Sequence, residues 1–495
     1  MLQYLKNESN KTFTENGAVT LKTSNSDCVD LFATIGALRR ASEDEIITRF
    51  ICAFTENQDI ATKLLFYMRD VRGGLGERRV FRTILKWLAN NHPSTVRKNL
   101  SYIAEYGRYD DLLVLFDTPL EISMLSFIKE TLSKDLNAMQ NSQEVSLLAK
   151  WLPSVNTSNA ETVLMGKKIA KYLNMSEKEY RKMLSELRAY IRILENYLRE
   201  KDYTFDYSKQ PSKAMFKYRN AFIRNDGERY NSFINQVSSG EVKLNAGTLY
   251  PYELVNPFLT GYYDSFMRDI TEEEKNTINA TWESLPDYGS DENALAVIDT
   301  SGSMYCYADP KPASVALSLG LYFAQHNTGV FKNHFIEFSH TPQLIEIKGE
   351  TFADRLRYVA SFNEIADTNL EAVFDLILDT AVKYNVPQSD LPSKLIIISD
   401  MEFNACIDNG GQTNFENAKS KFEAKGYNLP QVVFWNVASR NRQQPVTQNE
   451  QGVFLISGCT PKLFSIVASG DLSALTSVQL MLDVLLTERY EKIVA

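Results

Sequence analysis

Short apolar runs in the C-terminal part of the chain restrict its fold more than any other feature. The runs at 294–299, 394–400 and 431–437 are shorter than a typical helix and lack the alternation of a half-exposed strand. Parallel strands covered on both faces have this pattern. The remaining predicted strands are 333–339, 342–348 and 452–457, and the predicted helices are 312–327, 351–361, 369–384, 413–425, 460–469 and 473–489. The sequence therefore predicts a doubly wound, Rossmann-like α/β fold, with an antiparallel edge hairpin at 333–348.

Polar residues stand where two of these runs end, at the edge where such folds bind ligands. Asp299, Ser301 and Ser303 lie at or just after the end of the first run, and Asp400 ends the second. Thr368 precedes another predicted helix. Carboxylate and hydroxyl oxygens are donors that Mg²⁺ prefers, so these five residues are candidate metal ligands. The alternative is ordinary local structure, namely turns at the aspartates and a helix N-cap at Thr368.

The same residues resemble the metal-ion-dependent adhesion site of von Willebrand factor A (vWA) domains. The motifs that carry the resemblance are Ile298-Asp299-Thr-Ser301-Gly-Ser303, Asp367-Thr368-Asn-Leu and Ile398-Ser399-Asp400, in that order. The resemblance implies that Ser301, Ser303 and Thr368 ligate Mg²⁺, Mn²⁺ or Ca²⁺ directly. It implies that Asp299 and Asp400 bind directly or through water, and that an acidic partner completes the shell. Glu402, near the place where the family pattern has a glycine, is a candidate additional ligand.

The first half of the chain carries helical periodicity in segment after segment. Helices are predicted at 27–39, 43–56, 58–69, 77–90, 94–106, 109–116, 120–138, 143–151, 160–173, 176–200, 211–224, 228–238 and 257–268. Successive pairs resemble one another loosely, which favours a HEAT-like α-helical solenoid or ring without a strict repeat period. The polar segment 270–292 is predicted to be a connector. We expect an α-helical domain at 1–285 and an α/β domain at 286–495.

Two predicted helices carry rows of cations in a chain whose net charge is −9. Residues 161–230 contain sixteen lysines and arginines against ten aspartates and glutamates. At helical spacing, one row falls on 176–200 and a second, with little acidic compensation, on 211–224. The rows predict contacts to a polyanion such as RNA, and the alternative is a solvated surface with ion pairs. The candidate RNA-binding residues are Arg181, Arg188, Arg192, Arg199, Lys213, Lys217 and Arg224.

The order of a helical half and a vWA-like half resembles the TROVE/Ro family of RNA-binding ribonucleoproteins, and more closely a TROVE-like family of plants, bacteria and viruses. Its carriers include Leu65-Phe-Tyr-Met-Arg69-Asp-Val-Arg-Gly-Gly-Leu-Gly76, Gly107-Arg-Tyr-Asp-Asp-Leu-Leu113 and Trp151-Leu-Pro-Ser. The resemblance implies a ring or horseshoe of helical repeats, bridged by the vWA-like domain, that binds structured RNAs or RNA ends.

These features lead to one functional hypothesis and two alternatives. The first is a non-catalytic RNA-binding scaffold whose metal site recruits an acidic partner. The second is a metal-dependent protein-interaction module without RNA binding, and the third is a metal-dependent phosphoesterase. No H-E-x-x-H, G-x-S-x-G or Walker motif is present, so we expect no enzyme. Scattered cysteines and the lack of a transmembrane-length apolar run predict a reduced, cytoplasmic protein, and we expect a monomer.

Overall fold

A computed structural model of the chain describes residues 1–260, 267–288, 293–305, 310–338, 341–362, 368–405, 412–464 and 475–495. Cys306, Asp367 and Cys406 lie outside these ranges, and the predicted helices 257–268 and 460–469 lie partly outside them. The thiols of Cys28, Cys52 and Cys459 are free. No helix of the described ranges is long and apolar enough to cross a bilayer.

The described residues up to 283 are mainly helical, with a small hairpin after the first helix. The elements are α1 (Leu2–Asn10), β1 (Lys11–Phe13), β2 (Val19–Leu21), α2 (Asp27–Thr34), α3 (Glu43–Glu56), α4 (Gln58–Arg69), α5 (Arg79–Asn91), α6 (Pro93–Lys98), α7 (Ile103–Tyr106), α8 (Glu121–Gln140), α9 (Leu148–Trp151), α10 (Ala160–Tyr172), α11 (Glu177–Ile191), α12 (Leu194–Glu200), α13 (Ser212–Asn225), α14 (Gly227–Ser238), α15 (Pro251–Val255) and α16 (Glu272–Glu283). Side-chain caps such as Ser26, Ser42 and Asn57 start several of them by accepting a bond from a first-turn amide. Most of these helices pack on near neighbours in the chain, and the solenoid stays a prediction.

The C-terminal part is a six-stranded mixed sheet with helices between its strands. Its elements are β3 (Ala294–Asp299), α17 (Pro312–His326), β4 (His334–Phe338), β5 (Gln343–Glu346), α18 (Phe352–Ala360), α19 (Leu370–Tyr384), β6 (Lys394–Ser399), α20 (Asn414–Ala424), β7 (Gln431–Asn436), β8 (Val453–Ser457) and α21 (Ser477–Leu485). The strand order is β5-β4-β3-β6-β7-β8, and only the β4–β5 pair is antiparallel. Every residue of β3 and β6 is buried, as the apolar runs predict.

The chain builds the sheet outwards from its middle, which places a topological switch point between β3 and β6. From β3 it adds β4 and β5 on one side, and it then returns to add β6, β7 and β8 on the other. The loops after β3 and β6 therefore leave in opposite directions and open a crevice at the carboxyl edge. Asp299 and Asp400 stand on either side of this crevice, since Ile298 pairs with Ile398.

The predicted single helix at 176–200 is wrong. Arg192 has a left-handed backbone conformation with φ 51°, and it separates α11 from α12. The β-branched neighbours Ile191 and Ile193 lower helix propensity at this point. The Asn196 amide donates to the Arg188 carbonyl at 3.2 Å, which satisfies an acceptor near the helix end.

The prediction of a connector at 270–292 is also wrong, because α16 forms there. Thr271 and Glu274 form a reciprocal capping box that starts the helix. Its buried Trp282 stacks on Phe352 with ring centroids 3.9 Å apart, and its indole N–H donates to Gln325 at 2.8 Å. Upstream, the described residues 257–260 form no helix, since Leu259 bridges Met267 in antiparallel fashion.

The N-terminal residues pack directly on the sheet. Helix α2 lies against β8, where the Ser457 hydroxyl donates to the Phe32 carbonyl and accepts from the Gly36 amide, both at 3.0 Å. Two residues of the N-terminal hairpin region also form antiparallel bridges with the C-terminal part: Leu21 pairs with Gln444, and Gly17 pairs with Asn404. Buried side chains of both parts form one continuous hydrophobic cluster. The boundary at 285/286 stays a prediction.

Candidate metal centre

Four of the five predicted metal ligands are joined by hydrogen bonds at the switch point. The Ser301 amide donates to Asp299 Oδ1 at 2.9 Å, and the Ser301 and Ser303 hydroxyls lie 3.1 Å apart. The Ser303 hydroxyl donates to Asp400 Oδ2 at 2.9 Å. The Ser399 hydroxyl donates to Asp299 Oδ2 at 2.5 Å. The two aspartates are thus held beside one another by small hydroxyl side chains.

Thr368 is connected to this cluster through the segment 402–404. Its hydroxyl lies 2.9 Å from the Glu402 carbonyl and 3.0 Å from Asn404 Oδ1, and its amide donates to the same Asn404 oxygen. The Glu402 amide in turn donates to Asp400 Oδ1 at 3.3 Å. Thr368 therefore contacts the loop after β6, and it is linked to the carboxylates through Glu402, whose amide donates to Asp400.

Two carboxylates are buried side by side at the centre. Asp299 and Asp400 are only 1% and 4% exposed. Burial, followed by the charge of Asp400, raises the pKa of Asp299 well above its ordinary value. Two adjacent buried carboxylates repel one another unless positive charge lies between or beside them. The Arg440 guanidinium supplies part of that charge by donating to Asp400 Oδ2 at 2.9 Å.

Glu402 does not take the position of the additional metal ligand that the sequence suggests. Its carboxylate accepts from the Asn441 and Gln443 amides at 2.9 Å each and from the Glu15 backbone amide at 2.8 Å. Burial, and then the charges of Glu15 and Asp400, raise the pKa of Glu402 against these bonds. Its oxygens are thus already engaged, and we withdraw Glu402 as a metal ligand.

The donor set fits a small, hard divalent cation. Asp299, Asp400, Ser301 and Ser303 offer carboxylate and hydroxyl oxygens at one crevice, with Thr368 nearby. In the described part of the chain, no three His, Cys, Asp or Glu side chains converge on a metal-binding geometry. A cation here would rely on hydroxyls and water as well as the two carboxylates, as Mg²⁺ commonly does.

The predicted row of arginines is not one surface. Arg188 lies half-buried and donates to the Ala149 and Leu152 carbonyls and the Ser154 hydroxyl, at 2.8, 2.7 and 2.7 Å. It therefore ties α11 to the 149–154 segment and is withdrawn as an RNA contact. Arg181, Arg192 and Arg199 are exposed, but the break at Arg192 places Arg199 on α12.

Helix α13 does present its predicted cations to solvent. Lys213, Lys217 and Arg224 are exposed, whereas Met215 and Phe222 on the other side are buried. Lys213 has an acidic neighbour that the sequence did not suggest, since its ammonium lies 3.3 Å from Glu253 and 4.6 Å from the centroid of a tyrosine ring. The Lys217 ammonium lies 4.8 Å from the centroid of the Tyr218 ring.

Comparison with known proteins places the chain in a family. The family described as Domain of unknown function (DUF2828) matches residues 14–117 and 120–291, which is more than half of the chain. The chain belongs to the DUF2828 family. In this DUF2828 protein, residues 293–476 also match a second family, described as Domain of unknown function (DUF7788).

Two individual proteins are similar to this DUF2828 chain. An uncharacterized protein of Acanthamoeba polyphaga mimivirus is 28% identical over an alignment 503 residues long, and the alignment covers 94% of this chain and 85% of that protein. The crystal structure of the Deinococcus radiodurans RO (RSR) protein aligns over 93% of this chain and 96% of that one, with 11% identity and a TM-score of 0.34. A TM-score this low does not define a shared fold, so it carries no conclusion here.

Sequence reasoning missed three polar residues around the centre of the DUF2828 protein. Arg440 lies in the loop after β7, so the rule that selected Asp299 and Asp400 would have pointed to it as well. Glu15 and Asn16 lie in the tip of the β1–β2 hairpin, where the dipeptide Asn16-Gly17 is a turn signal. That signal identifies a turn but says nothing about what the turn contacts.

Proposed function

We propose that the chain is a non-catalytic RNA-binding scaffold that carries a divalent-metal site for an acidic partner. The RNA part is supported by the sequence resemblance to the TROVE/Ro family and by one observation above all, the exposed cations of α13. Within the described residues, neither Lys217 nor Arg224 has an ion-pair partner, so both are available to phosphates. Arg181, Arg192 and Arg199 are exposed and stay candidate RNA contacts, although they do not form one row.

The double variant Lys217→Glu/Arg224→Glu should lose most RNA affinity, because two phosphate contacts become repulsions. We expect the slope of log affinity against log salt to fall by about 1.4 for single-stranded RNA. The affinity is measured by filter binding at increasing salt concentrations, with RNA that copurifies with the wild-type protein. The matched control is Lys383→Glu/Lys425→Glu, which reverses two exposed lysines in the C-terminal part. Equal affinity of the α13 variant and the wild type would refute this placement.

The metal site is a second function with its own supporting observation, the pair of buried carboxylates at Asp299 and Asp400. The residues that would hold the ion are Asp299, Ser301, Ser303 and Asp400, with Thr368 beside them. When bound, the ion would offer an open coordination position to a carboxylate. The two serine hydroxyls and Ser399 orient the carboxylates for this role.

Mg²⁺ should stabilise the wild-type protein and leave Asp299→Asn unchanged. At a hundredfold excess over Kd, binding to the folded state adds about 2.7 kcal/mol to the free energy of unfolding. The measurement is thermal unfolding with increasing Mg²⁺, and the control is Asp379→Asn, which removes an exposed carboxylate from α19. Equal Mg²⁺ responses of wild type and Asp299→Asn would contradict the site. Mg²⁺-dependent RNA or nucleotide turnover that Asp299→Asn abolishes would instead favour the phosphoesterase.

A further inference from the structure

The tip of the β1–β2 hairpin, Thr14–Gly17, is a preformed turn. We call it the N-terminal loop. The Thr14 amide donates to the Ala18 carbonyl at 2.9 Å, and the Thr14 hydroxyl accepts from the Ala18 amide at 2.9 Å. Gly17 takes a φ of +84°, which a glycine adopts without strain. Contacts within the hairpin thus fix the backbone of Glu15 and Asn16 independently of the sheet.

This loop lies along the segment 402–404, next to the candidate metal centre. The Thr14 hydroxyl donates to the Phe403 carbonyl at 2.6 Å, and the Asn16 amide donates to the Glu402 carbonyl at 2.6 Å. The Asn16 amide also lies 3.3 Å from the Thr368 hydroxyl, and Gly17 forms an antiparallel bridge with Asn404. The loop therefore pairs with the segment that also positions a predicted metal ligand.

Arg440 links the loop to the centre by charge. Its Nη1 lies 3.0 Å from Glu15 Oε2, and its Nη2 lies 2.9 Å from Asp400 Oδ2. Asn441 Nδ2 donates to Glu15 Oε1 at 3.0 Å, so both carboxylate oxygens of Glu15 have a donor. Arg440 and Asn441 together form a receptor for one carboxylate at the edge of the crevice.

We propose that this surface is a docking site for an extended acidic segment, and that the N-terminal loop occupies it in cis. The surface consists of the backbone of 402–404 with Arg440 and Asn441. A partner that presents a carboxylate on an extended strand would displace the loop and take over the contacts of Glu15. The proposal rests on the proposed recruitment of an acidic partner, and it names the surface and the chemistry of that partner.

The loop is held strongly enough to occupy the surface and weakly enough to leave it. The side chains of Glu15 and Arg440 are 46% and 41% exposed, so water screens their ion pair. Asn16 and Gly17 are exposed, so water can replace their hydrogen bonds to the segment 402–404. Thr14 is buried and its bond to Phe403 is buried too, as are Thr20 and Leu21 of β2, so the part of the loop that can leave is Glu15–Gly17.

A peptide with the sequence of residues 11–21 is the probe, because it carries the loop's own contacts in trans. The full-length variant Glu15→Ala/Asn16→Ala removes the side-chain contacts of Glu15 and Asn16 and so weakens the hold of the loop on the surface, and fluorescence anisotropy in EDTA measures binding of the labelled peptide. We expect about tenfold tighter binding to this variant than to the wild type, since the competing loop holds the wild-type surface. Adding Arg440→Gln to the variant should remove the binding, and so should a peptide with Glu15→Gln.

Equal affinity for the wild type and the variant, or binding to neither, would overturn the proposal. So would equal binding of the Glu15→Gln peptide. Hydrogen exchange gives a second readout, because docking protects the backbone amide of residue 15, which donates to Glu402 Oε2 at 2.8 Å, and this protection should be lower in the variant. EDTA keeps the test separate from the metal: failure of Mg²⁺ binding with success of the peptide refutes the metal site alone, and the reverse refutes the cis loop alone.

Discussion

Asp111→Ala should lower the free energy of unfolding by about 3–5 kcal/mol, the range for removing one partner of a buried ion pair. Asp111 is fully buried and accepts bonds from Arg69 Nε at 2.8 Å, Arg82 Nε at 2.6 Å and the Arg108 amide at 3.0 Å. The side chain of Arg69 is only 2% exposed. The variant leaves this guanidinium without its carboxylate in a place that water does not reach.

Urea unfolding tests this prediction, with the midpoint expected to shift while the slope stays the same. The matched control is Asp110→Ala, one residue away. Asp110 also pairs with two arginines, but these are 28% and 30% exposed and can turn to solvent. We expect a loss of about 1 kcal/mol for the control. Similar losses for the two variants would show that Asp111 does not act as a buried counter-ion.

Arg489→Ala should cost about 3 kcal/mol at neutral pH, because it removes the counter-ion of Asp70. Asp70, directly after α4, is fully buried, and Arg489 Nη2 donates to it at 2.6 Å. The Tyr490 hydroxyl and the Arg72 amide donate to the same carboxylate at 2.9 Å each. These contacts join the C-terminal residues to the helical half.

The loss should shrink in acid, and its direction follows from the pKa of Asp70. Burial alone would raise that pKa, but the bonds from Arg489 and from the backbone amides of Arg72 and Gly73 outweigh burial and hold it below its ordinary value. A lowered folded pKa stabilises the protein above the ordinary pKa, and this stability is lost as the pH falls through the folded value. Without Arg489, burial dominates and Asp70 protonates more readily. Wild type and variant should therefore differ most at neutral pH.

Urea unfolding at about pH 7 and about pH 4 measures both parts of this prediction. The control is Arg72→Ala, since Arg72 is an exposed cation of the same loop whose side chain donates to the Glu105 carbonyl. We expect this control to change stability by about 0.5 kcal/mol or less. A loss for Arg489→Ala that is the same at both pH values would rule out Asp70 as its cause.

The sequence is most informative where burial alone decides the structure. The apolar runs that form β3, β6 and β7 are located to within a residue, because strands covered on both faces are the elements that have such composition. Parallel strands end at one edge, so the positions of Asp299 and Asp400 in the sequence suffice to place them together. The loop after β7 ends at the same edge, and the same rule extends to Arg440.

The sequence is least informative where tertiary contacts override local pattern. The helical spacing of Arg188 and Arg199 predicts a common face, but the left-handed Arg192 lies between them. The buried carboxylate of Glu402 accepts a hydrogen bond from the backbone amide of Glu15, which lies 387 positions away in the chain. No periodicity in a single sequence encodes such a contact. Helix α16 is a different case. Its capping box can be recognised in the sequence, but the acidic composition of 270–292 favours the prediction of a connector.

The contact of α2 with β8 has a consequence for the order of folding. Gly36 and Ser457 are 421 positions apart, and Thr14 and Phe403 are 389 positions apart. Loops this long close slowly, because chain entropy must be lost before any contact forms. Residues 14–36 are synthesised before β6, β7 and β8, so their contacts with the sheet cannot form until those strands have been made. We therefore expect these contacts to close later in folding than the contacts between neighbouring helices.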